Sequence, residues 1–197
     1  MLDNKTQIDG ILLKMVDFLK KYTEQGYLDL VTGFFSINAL AMIHDSLSDT
    51  KKLRLILGNL TQDEKEENKA VDLLNGDAGI ESTLSLSLSA QKAVEFLKQD
   101  RVAVRTVQKN FCHAKAYIYK DKDERKNYHI IGSSNLTDAG LGMCNSSNIE
   151  LNTASSGDSN DWKEAQRWFE NLWENIALEK IEMPNKTKNL QNNISLS

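Results

Sequence analysis

Apolar residues recur along the chain first with a helical period and then with a strand period. Residues 7–25 carry apolar side chains at helical spacing, the pattern of an amphipathic helix that Gly26 ends. Tyr27–Phe35 is a continuous apolar run typical of a buried strand, and a helix over 36–49 and a strand over 52–58 are predicted after it. Strand, helix and strand in this succession indicate a parallel β-α-β unit.

The same two periods predict the rest of the secondary structure. The remaining elements are helices over 61–77, 81–99 and 161–178 and strands over 101–108, 111–120, 127–133 and 147–153. Together these elements predict an α/β fold with a mixed, largely parallel β-sheet that is flanked by helices on both faces. We expect one domain over residues 1–180 and a tail or linker over 181–197.

Candidate chemistry lies on the strand predicted over 111–120. Period-two alternation places His113 and Lys115 on one face of this strand, and Cys112 and Ala114 on the other. Same-face neighbours on a strand lie about 6.6 Å apart. An imidazole and an ammonium group at this spacing can both reach one phosphate, the first as nucleophile and the second as charge clamp. Either residue alone is more typical of a structural or solvent-facing position. The pair in register, together with the Gly-Ser-x-Asn motif that begins the turn after the adjacent predicted strand, favours catalysis.

Two further motifs follow in order, and the three together resemble a known family. His113-Ala-Lys115 is followed by Gly132-Ser-Ser-Asn135 and then by Asn148-Ile-Glu150. This set resembles the phospholipase D superfamily, and the longer string Gly132–Leu141 resembles its nuclease-like branch. Domains of that branch are often found at the N-terminus of bacterial helicase-type or restriction-type proteins. The resemblance extends over most of residues 8–178 and implies the phospholipase D-like fold.

The resemblance implies a catalytic role for four residues. His113 is the expected nucleophile, and Lys115 is expected to bind a non-bridging phosphate oxygen. Asn135 is expected to donate a hydrogen bond to a phosphate oxygen. Glu150 matches the family's carboxylate that orients an active-site histidine and raises its basicity, which is also what a nucleophilic imidazole needs physically.

Two serines of the second motif are candidate substrate-binding residues. Ser133 and Ser134 are expected to donate hydrogen bonds to phosphate oxygens. Glycine, serine and asparagine are also the usual residues of turns, so the motif could serve the turn alone. Thr32 and Gly58, which fall at strand ends, are expected to line the cleft.

The first motif departs from the family pattern at one position. The family usually has His-x-Lys-x4-Asp, whereas Lys120 stands at the aspartate position here and Asp121 comes one residue later. The interval from Lys115 to Gly132 is also longer than in compact family members. It contains a charged stretch over 120–126 that predicts a hairpin turn between two strands. Because the family's aspartate is mostly a supporting residue, its displacement does not remove the four catalytic candidates.

Charge is distributed unevenly along the chain. The whole chain carries a net charge of −4, but Arg101–Lys126 holds eight basic and three acidic residues, a net charge of +5 that leaves −9 for the rest. A basic patch around the motif strands would attract a polyanion to the site. Arg105 and Lys120 are therefore further candidates for substrate binding. The simpler interpretation is a solvated hairpin with ordinary surface lysines.

Composition also indicates the setting in which the protein works. No run approaches 18 consecutive apolar residues and the N-terminus lacks a signal-peptide pattern, so no membrane association is expected. Two cysteines, too few for a disulfide framework, favour a reducing cytoplasm. The three histidines and two cysteines have no zinc-site spacing, so we expect a metal-independent mechanism without a cofactor.

The single His-x-Lys motif has a consequence for assembly. Phosphodiester exchange through a phosphohistidine needs a nucleophile on one side and, on the other, an acid that protonates the leaving oxygen. One copy supplies half of this set, and single-motif family members complete it as symmetric homodimers. We therefore expect a homodimer with the active site at its two-fold interface.

The expected function is that of a metal-independent phosphodiesterase, an endonuclease that acts on single- or double-stranded DNA. It could be the N-terminal module of a restriction or helicase protein. Two alternatives stay open. One is a lipid phosphodiesterase or phosphatidyltransferase, and the other is a dimerising DNA-binding module with little or no activity.

Overall fold

A computed structural model of the chain describes residues 2–3, 13–60, 88–107, 112–144, 148–157 and 159–179. The strands in these ranges are β1 Leu2–Asp3, β2 Leu13–Lys14, β3 Tyr27–Phe35, β4 Lys52–Leu60, β5 Val102–Thr106, β6 Ala116–Lys120, β7 Tyr128–Gly132, β8 Leu151–Ser156 and β9 Leu178–Glu179. Within the described residues they form a single nine-stranded sheet, in the order β2-β1-β8-β7-β6-β3-β4-β5-β9.

Five α-helices accompany the sheet in the part of the chain that the structure describes. They are α1 Met15–Tyr22, α2 Ile37–Ser46, α3 Leu88–Leu97, α4 Asp138–Leu141 and α5 Asn160–Asn175. Serine caps begin two of them, because the hydroxyl oxygen of Ser36 accepts from the Ala39 N–H at α2 and that of Ser159 accepts from the Trp162 N–H at α5. None of the described helices is long and apolar enough to cross a membrane.

The sheet is mixed, and its two halves differ in strand direction. Strands β3, β4 and β5 are parallel neighbours, as the β-α-β pattern predicts. Strands β6, β7 and β8 form an antiparallel ladder on the other side of β3. The predicted mixed α/β sheet is confirmed. Its antiparallel part is larger than the prediction of a largely parallel sheet implied. Because β6 is antiparallel to β3, the start of β6 lies at the end of β3.

Helices cover both faces of the sheet, as predicted. One face packs with α1, α2 and α3 around a core that includes Leu30, Leu55 and Tyr117. The other face packs against α5, where Ile118 and Phe169 belong to a second core. Burial on both faces explains why β3 is a continuous apolar run and lacks alternation.

Several predicted boundaries differ from the structure. Leu13–Lys14, expected in the first helix, is strand β2 and pairs in parallel with β1 at the sheet edge, so the described part of the helix begins at Met15. The strand expected over 111–120 begins only at Ala116 as β6, and the strand expected over 147–153 begins only at Leu151 as β8. The helix predicted over 61–77 and the tail 181–197 lie outside the described residues.

Candidate active site

His113 and Lys115 lie on the irregular segment that leads into β6. The predicted alternation continues through this segment, because Cys112 and Ala114 pack against the second core while Tyr117 belongs to the first. Lys115 is only 6% exposed, and its Nζ donates a hydrogen bond to the backbone carbonyl of His113 at 2.7 Å. His113 itself is exposed. The segment therefore carries an exposed histidine next to a buried lysine whose ammonium group is hydrogen-bonded to the backbone.

Glu150, which directly precedes β8, lies within electrostatic range of Lys115. Burial lowers the pKa of Lys115 from its ordinary value, and the carboxylate of Glu150 acts in the opposite direction. Burial also raises the pKa of the Tyr117 phenol, and the same carboxylate adds to that increase. The first and third sequence motifs are therefore close together in the fold.

The Gly132-Ser-Ser-Asn135 turn follows β7 and is fastened to both neighbouring strands. The Gly132 N–H donates to the Lys115 carbonyl at 3.4 Å, beside the first motif. A Cβ atom added to Gly132 would lie 2.3 Å from Oδ1 of Asn152, so this close approach requires glycine. The Ser133 hydroxyl oxygen accepts from the Leu151 N–H at 3.1 Å, so it continues the pairing with β8.

Ser134 points into the interior and has a partner that the sequence did not indicate. It is fully buried, and its N–H donates to Oδ1 of Asn152 at 3.1 Å. Nδ2 of Asn152 in turn donates to the Ser134 hydroxyl oxygen at 2.8 Å. Tyr117 adds a third bond, from its hydroxyl to the Ser134 carbonyl at 3.3 Å. These contacts give Ser134 a place inside the turn, away from the surface where a substrate would bind.

Asn135 is anchored on the end of β3. Its Oδ1 accepts from the Phe34 N–H at 3.1 Å. The next residue, Leu136, forms an isolated parallel bridge with Phe35, and its N–H donates to the Thr32 hydroxyl oxygen at 2.9 Å. The turn after β7 thereby lies at the same end of the sheet as the segment that leads into β6.

Five of the predicted site residues meet at this end of the sheet. They are His113, Lys115, Ser133, Asn135 and Glu150. Thr32, which was expected to line the cleft, is fully buried behind the turn. Asn152 was missed, and its only sequence signal is a polar residue on the inward side of a predicted strand, two positions after Glu150.

Of the two basic residues expected to bind substrate, Lys120 lies far from Lys115 and Arg105 contacts α5. Lys120 pairs with Tyr27 at the far end of β6, roughly 16 Å along the strand from Lys115 at about 3.3 Å per residue. The guanidinium of Arg105 donates to the Trp173 carbonyl and lies 4.4 Å from the centre of the Trp173 ring. Arg105 therefore fastens α5 to β5.

The charged hairpin after β6 is also remote from His113. Asp121 accepts from the Tyr119 hydroxyl and from the Asp123 N–H, both at 2.9 Å, so the displaced aspartate shapes the turn. Arg125 forms an ion pair with Asp123, and Lys126 forms one with Glu24. The predicted basic patch around the motif strands is thus divided, and its hairpin part lies at the opposite end of β6.

The residues that the structure describes contain no cluster of three or more histidine, cysteine, aspartate or glutamate side chains that could hold a metal ion. The side chains brought together at the site are an exposed imidazole, a buried ammonium group, an amide and a carboxylate.

A family model described as "Cardiolipin synthase, PLD-like domain" matches residues 25–173, which include all three motifs. The fold is similar to the crystal structure of Nuc, a phospholipase D family member from Salmonella typhimurium, with a TM-score of 0.51 and 12% sequence identity. That match covers 84% of this chain and 88% of Nuc. A polyphosphate kinase from Porphyromonas gingivalis matches with a TM-score of 0.49 and 11% identity, over 84% of this chain and 20% of the kinase. No curated protein matches the sequence.

Proposed function

Because this chain belongs to the PLD-like domain family described as "Cardiolipin synthase, PLD-like domain", we propose that it is a metal-independent phosphodiesterase, an endonuclease that cleaves DNA through a phosphohistidine. One observation carries the proposal. The exposed His113 stands beside a buried lysine whose Nζ is bonded to the His113 carbonyl, at the end of the sheet that also holds Asn135 and Glu150. In this proposal the His113 imidazole is the nucleophile and the Lys115 ammonium group is its charge clamp, and their neighbouring positions support these roles.

The proposed reaction has two steps. His113 of one copy attacks phosphorus and forms a P–N bond while the P–O bond to the departing sugar breaks. His113 of a second copy gives its proton to the departing oxygen. Water then attacks phosphorus, the P–N bond breaks, and that second histidine takes a proton from the water. The products are a phosphate monoester and an alcohol, and the enzyme regains its starting protonation.

The other site residues stabilise charge and orientation in this scheme. Lys115 uses one N–H to bond the His113 carbonyl, and its ammonium group has two more donors for a non-bridging oxygen. Because Oδ1 of Asn135 accepts from the Phe34 N–H, its amide NH2 is the end that donates to phosphate. The Ser133 hydroxyl accepts from Leu151 and keeps its own proton for a phosphate oxygen. The carboxylate of Glu150 opposes the lowering of the Lys115 pKa by burial, and in this scheme it orients the His113 imidazole.

An apolar patch beside the motifs supports a homodimer. Ile131, Ile149 and Leu151 are 49%, 83% and 54% exposed. Ile131 pairs with Thr153, which is two residues from Leu151 on β8. The side chains of Ile131 and Leu151 therefore lie on the same face of the β7–β8 pair. We take a second copy of this chain as the occupant, because one copy supplies only one His113 to a reaction that uses two. We call Ile131, Ile149 and Leu151 together the β7–β8 patch.

The choice of DNA as substrate rests on the string Gly132–Leu141, which resembles the nuclease-like branch. That branch also suggests a place as the N-terminal module of a restriction or helicase protein, and the two cysteines favour the cytoplasm. The description of the matching family as cardiolipin synthase favours a second candidate, a lipid phosphodiesterase or phosphatidyltransferase. Both candidates use the same phosphohistidine chemistry, and they differ in the alcohol that leaves.

The test is cleavage in the presence of EDTA. Wild-type protein, His113→Ala and the control His44→Ala are incubated with plasmid DNA, single-stranded DNA, bis-p-nitrophenyl phosphate and phosphatidylglycerol vesicles. His44 is a suitable control because it lies on α2 and bonds Asp45, outside the motif set. We expect cleavage of DNA and of the small diester by the wild type and the control, and none by His113→Ala. Strict dependence on an added divalent ion would contradict the mechanism, and turnover of the vesicles alone would favour the lipid candidate.

A further inference from the structure

The hydroxyl group of Thr32 joins the end of β3 to the turn that carries Asn135. Thr32 is fully buried. Its Oγ1 accepts from the Leu136 N–H at 2.9 Å and donates to the Phe34 carbonyl at 2.6 Å. Oδ1 of Asn135 lies 3.4 Å from the same hydroxyl. A hydroxyl has one proton, and the shorter contact to Phe34 takes it, so Thr32 bonds the turn chiefly as an acceptor.

These bonds belong to a small ladder between two chain segments. The Phe34 N–H donates to Oδ1 of Asn135 at 3.1 Å, and the Ser36 N–H donates to the Leu136 carbonyl at 2.9 Å. The Thr32 hydroxyl completes the ladder by satisfying the Leu136 N–H. Leu136 is therefore held through both its N–H and its carbonyl. The orientation of the Asn135 side chain follows from the position of this backbone.

We infer that Thr32 is a positioning residue that fixes the Asn135 amide toward the phosphate of the substrate. The inference rests on the proposed function. Thr32 cannot touch substrate, because it is fully buried behind the turn. Removal of the Thr32 hydroxyl would leave the Leu136 N–H buried without a partner and would break one of the hydrogen bonds between the two segments. A displacement of about 1 Å at a group that stabilises the transition state is sufficient for a loss of roughly 100-fold in rate.

The central experiment compares two substitutions at this position. Thr32→Val replaces the hydroxyl with a methyl group of similar size, and Thr32→Ser keeps the hydroxyl and removes the methyl group. With bis-p-nitrophenyl phosphate in EDTA, we expect kcat of Thr32→Val to fall by about 10- to 100-fold with KM nearly unchanged. Thr32→Ser should restore most of kcat. If Thr32→Val does not fold, Thr32→Ala and Thr32→Ser provide a second pair that differs only in the hydroxyl.

A double-mutant cycle tests whether Thr32 acts through Asn135. In an Asn135→Ala background, Thr32→Val should cause little further loss, because the group that Thr32 positions is already absent. Additive losses would overturn the inference, as would wild-type kcat in Thr32→Val. The matched control is Thr50→Val, the same change at a buried threonine whose hydroxyl has no hydrogen-bond partner among the described residues. Its kcat should stay at the wild-type value.

The outcome for Thr32 can be separated from the outcome for the proposed function. Wild-type turnover that disappears in His113→Ala establishes the phosphodiesterase independently of Thr32. If that result holds and Thr32→Val is fully active, only the positioning role is wrong. Turnover that survives in His113→Ala, or no wild-type turnover of any diester, would contradict the proposed reaction. The positioning role of Thr32 would then be wrong as well.

Discussion

Asn152 and Ser134 exchange two hydrogen bonds inside the molecule, from strand β8 to the turn that follows β7. Oδ1 of Asn152 accepts from the Ser134 N–H, and its Nδ2 donates to the Ser134 hydroxyl oxygen. Both residues are buried, at 2% and 0% exposure. Asn152 comes two residues after Glu150, so this pair fixes the start of β8, which Glu150 directly precedes, relative to the turn that carries Asn135.

Replacing Asn152 with leucine should destabilise the fold strongly. The leucine side chain has similar size, but it leaves the buried Ser134 N–H and hydroxyl without partners, at a cost of about 1–3 kcal/mol for each group. Urea denaturation should show a free energy of unfolding that is lower by about 2–6 kcal/mol, the sum for the two groups. Asn175→Leu, at an exposed position on α5, is the control and should stay within about 0.5 kcal/mol of the wild type. An equally small change in Asn152→Leu would show that the Ser134 groups find other partners.

Parts of the fold follow from sequence patterns that report local burial. The continuous apolar run of β3 predicted a strand buried on both faces, and its bounds Tyr27–Phe35 are confirmed. Strand β6 was predicted from its alternation, because period two reports which side chains share a face. The alternation continues before Ala116, where the strand pairing does not, so the pattern alone placed the start of β6 too early.

Other parts depend on contacts between distant segments, and periodicity carries no information about these. Leu13–Lys14 is a strand because it pairs with Leu2–Asp3 at the sheet edge, although its residues fit a helix. The role of Asn152 arises from a contact across 18 residues of sequence. Net charge along Arg101–Lys126 predicted one basic patch, but strand direction carries Lys120 to the opposite end of β6 from Lys115.

Charge placed on the β7–β8 patch should separate the two copies. Ile131→Lys is expected to give a monomer at micromolar concentration in light scattering and to lose turnover of bis-p-nitrophenyl phosphate, because an uncompensated charge opposes burial. Ile176→Lys is the matched control, since Ile176 is the same residue type with 48% exposure at the end of α5, against 49% for Ile131. The control should keep the wild-type mass and activity. A fully active monomeric Ile131→Lys protein would exclude a site shared between two copies.

The pH profile of turnover should report the charge on Lys115. Burial lowers the pKa of Lys115 from its ordinary value of 10.5, so Lys115 loses its proton earlier as the pH is raised. Activity should therefore begin to fall on the alkaline side before pH 10.5 is reached. Glu150 acts in the opposite direction, so Glu150→Gln should lower the pKa of Lys115 further and move the alkaline limb toward neutral pH. Glu174→Gln on the exposed side of α5 is the control. An alkaline limb that is unchanged in Glu150→Gln would mean that another group titrates there.

The charged hairpin should contribute little to catalysis. Lys120, Lys122, Arg125 and Lys126 lie at the far end of β6, and the last two are already paired with Asp123 and Glu24. Changing all four to glutamine should leave kcat for bis-p-nitrophenyl phosphate unchanged and should alter the salt dependence of DNA binding only slightly. DNA affinity is measured by titration at several salt concentrations. A much flatter salt slope would place the DNA path across the hairpin, because each phosphate contact that is lost lowers the slope by about 0.9.

The chemical intermediate distinguishes a nucleophilic His113 from a histidine that only binds phosphate. Attack by imidazole gives a phosphoramidate, which is stable to base and labile to acid, unlike a phosphate ester on Ser133. Quenching the reaction at short times should yield a denaturation-stable, acid-labile adduct on the peptide that contains His113. The adduct should be reduced in Glu150→Gln, because an imidazole without an orienting carboxylate is a poorer nucleophile. Glu174→Gln should form it at the wild-type level. An adduct mapped to Ser133 would assign the nucleophile to the turn after β7 and leave His113 as an acid or base.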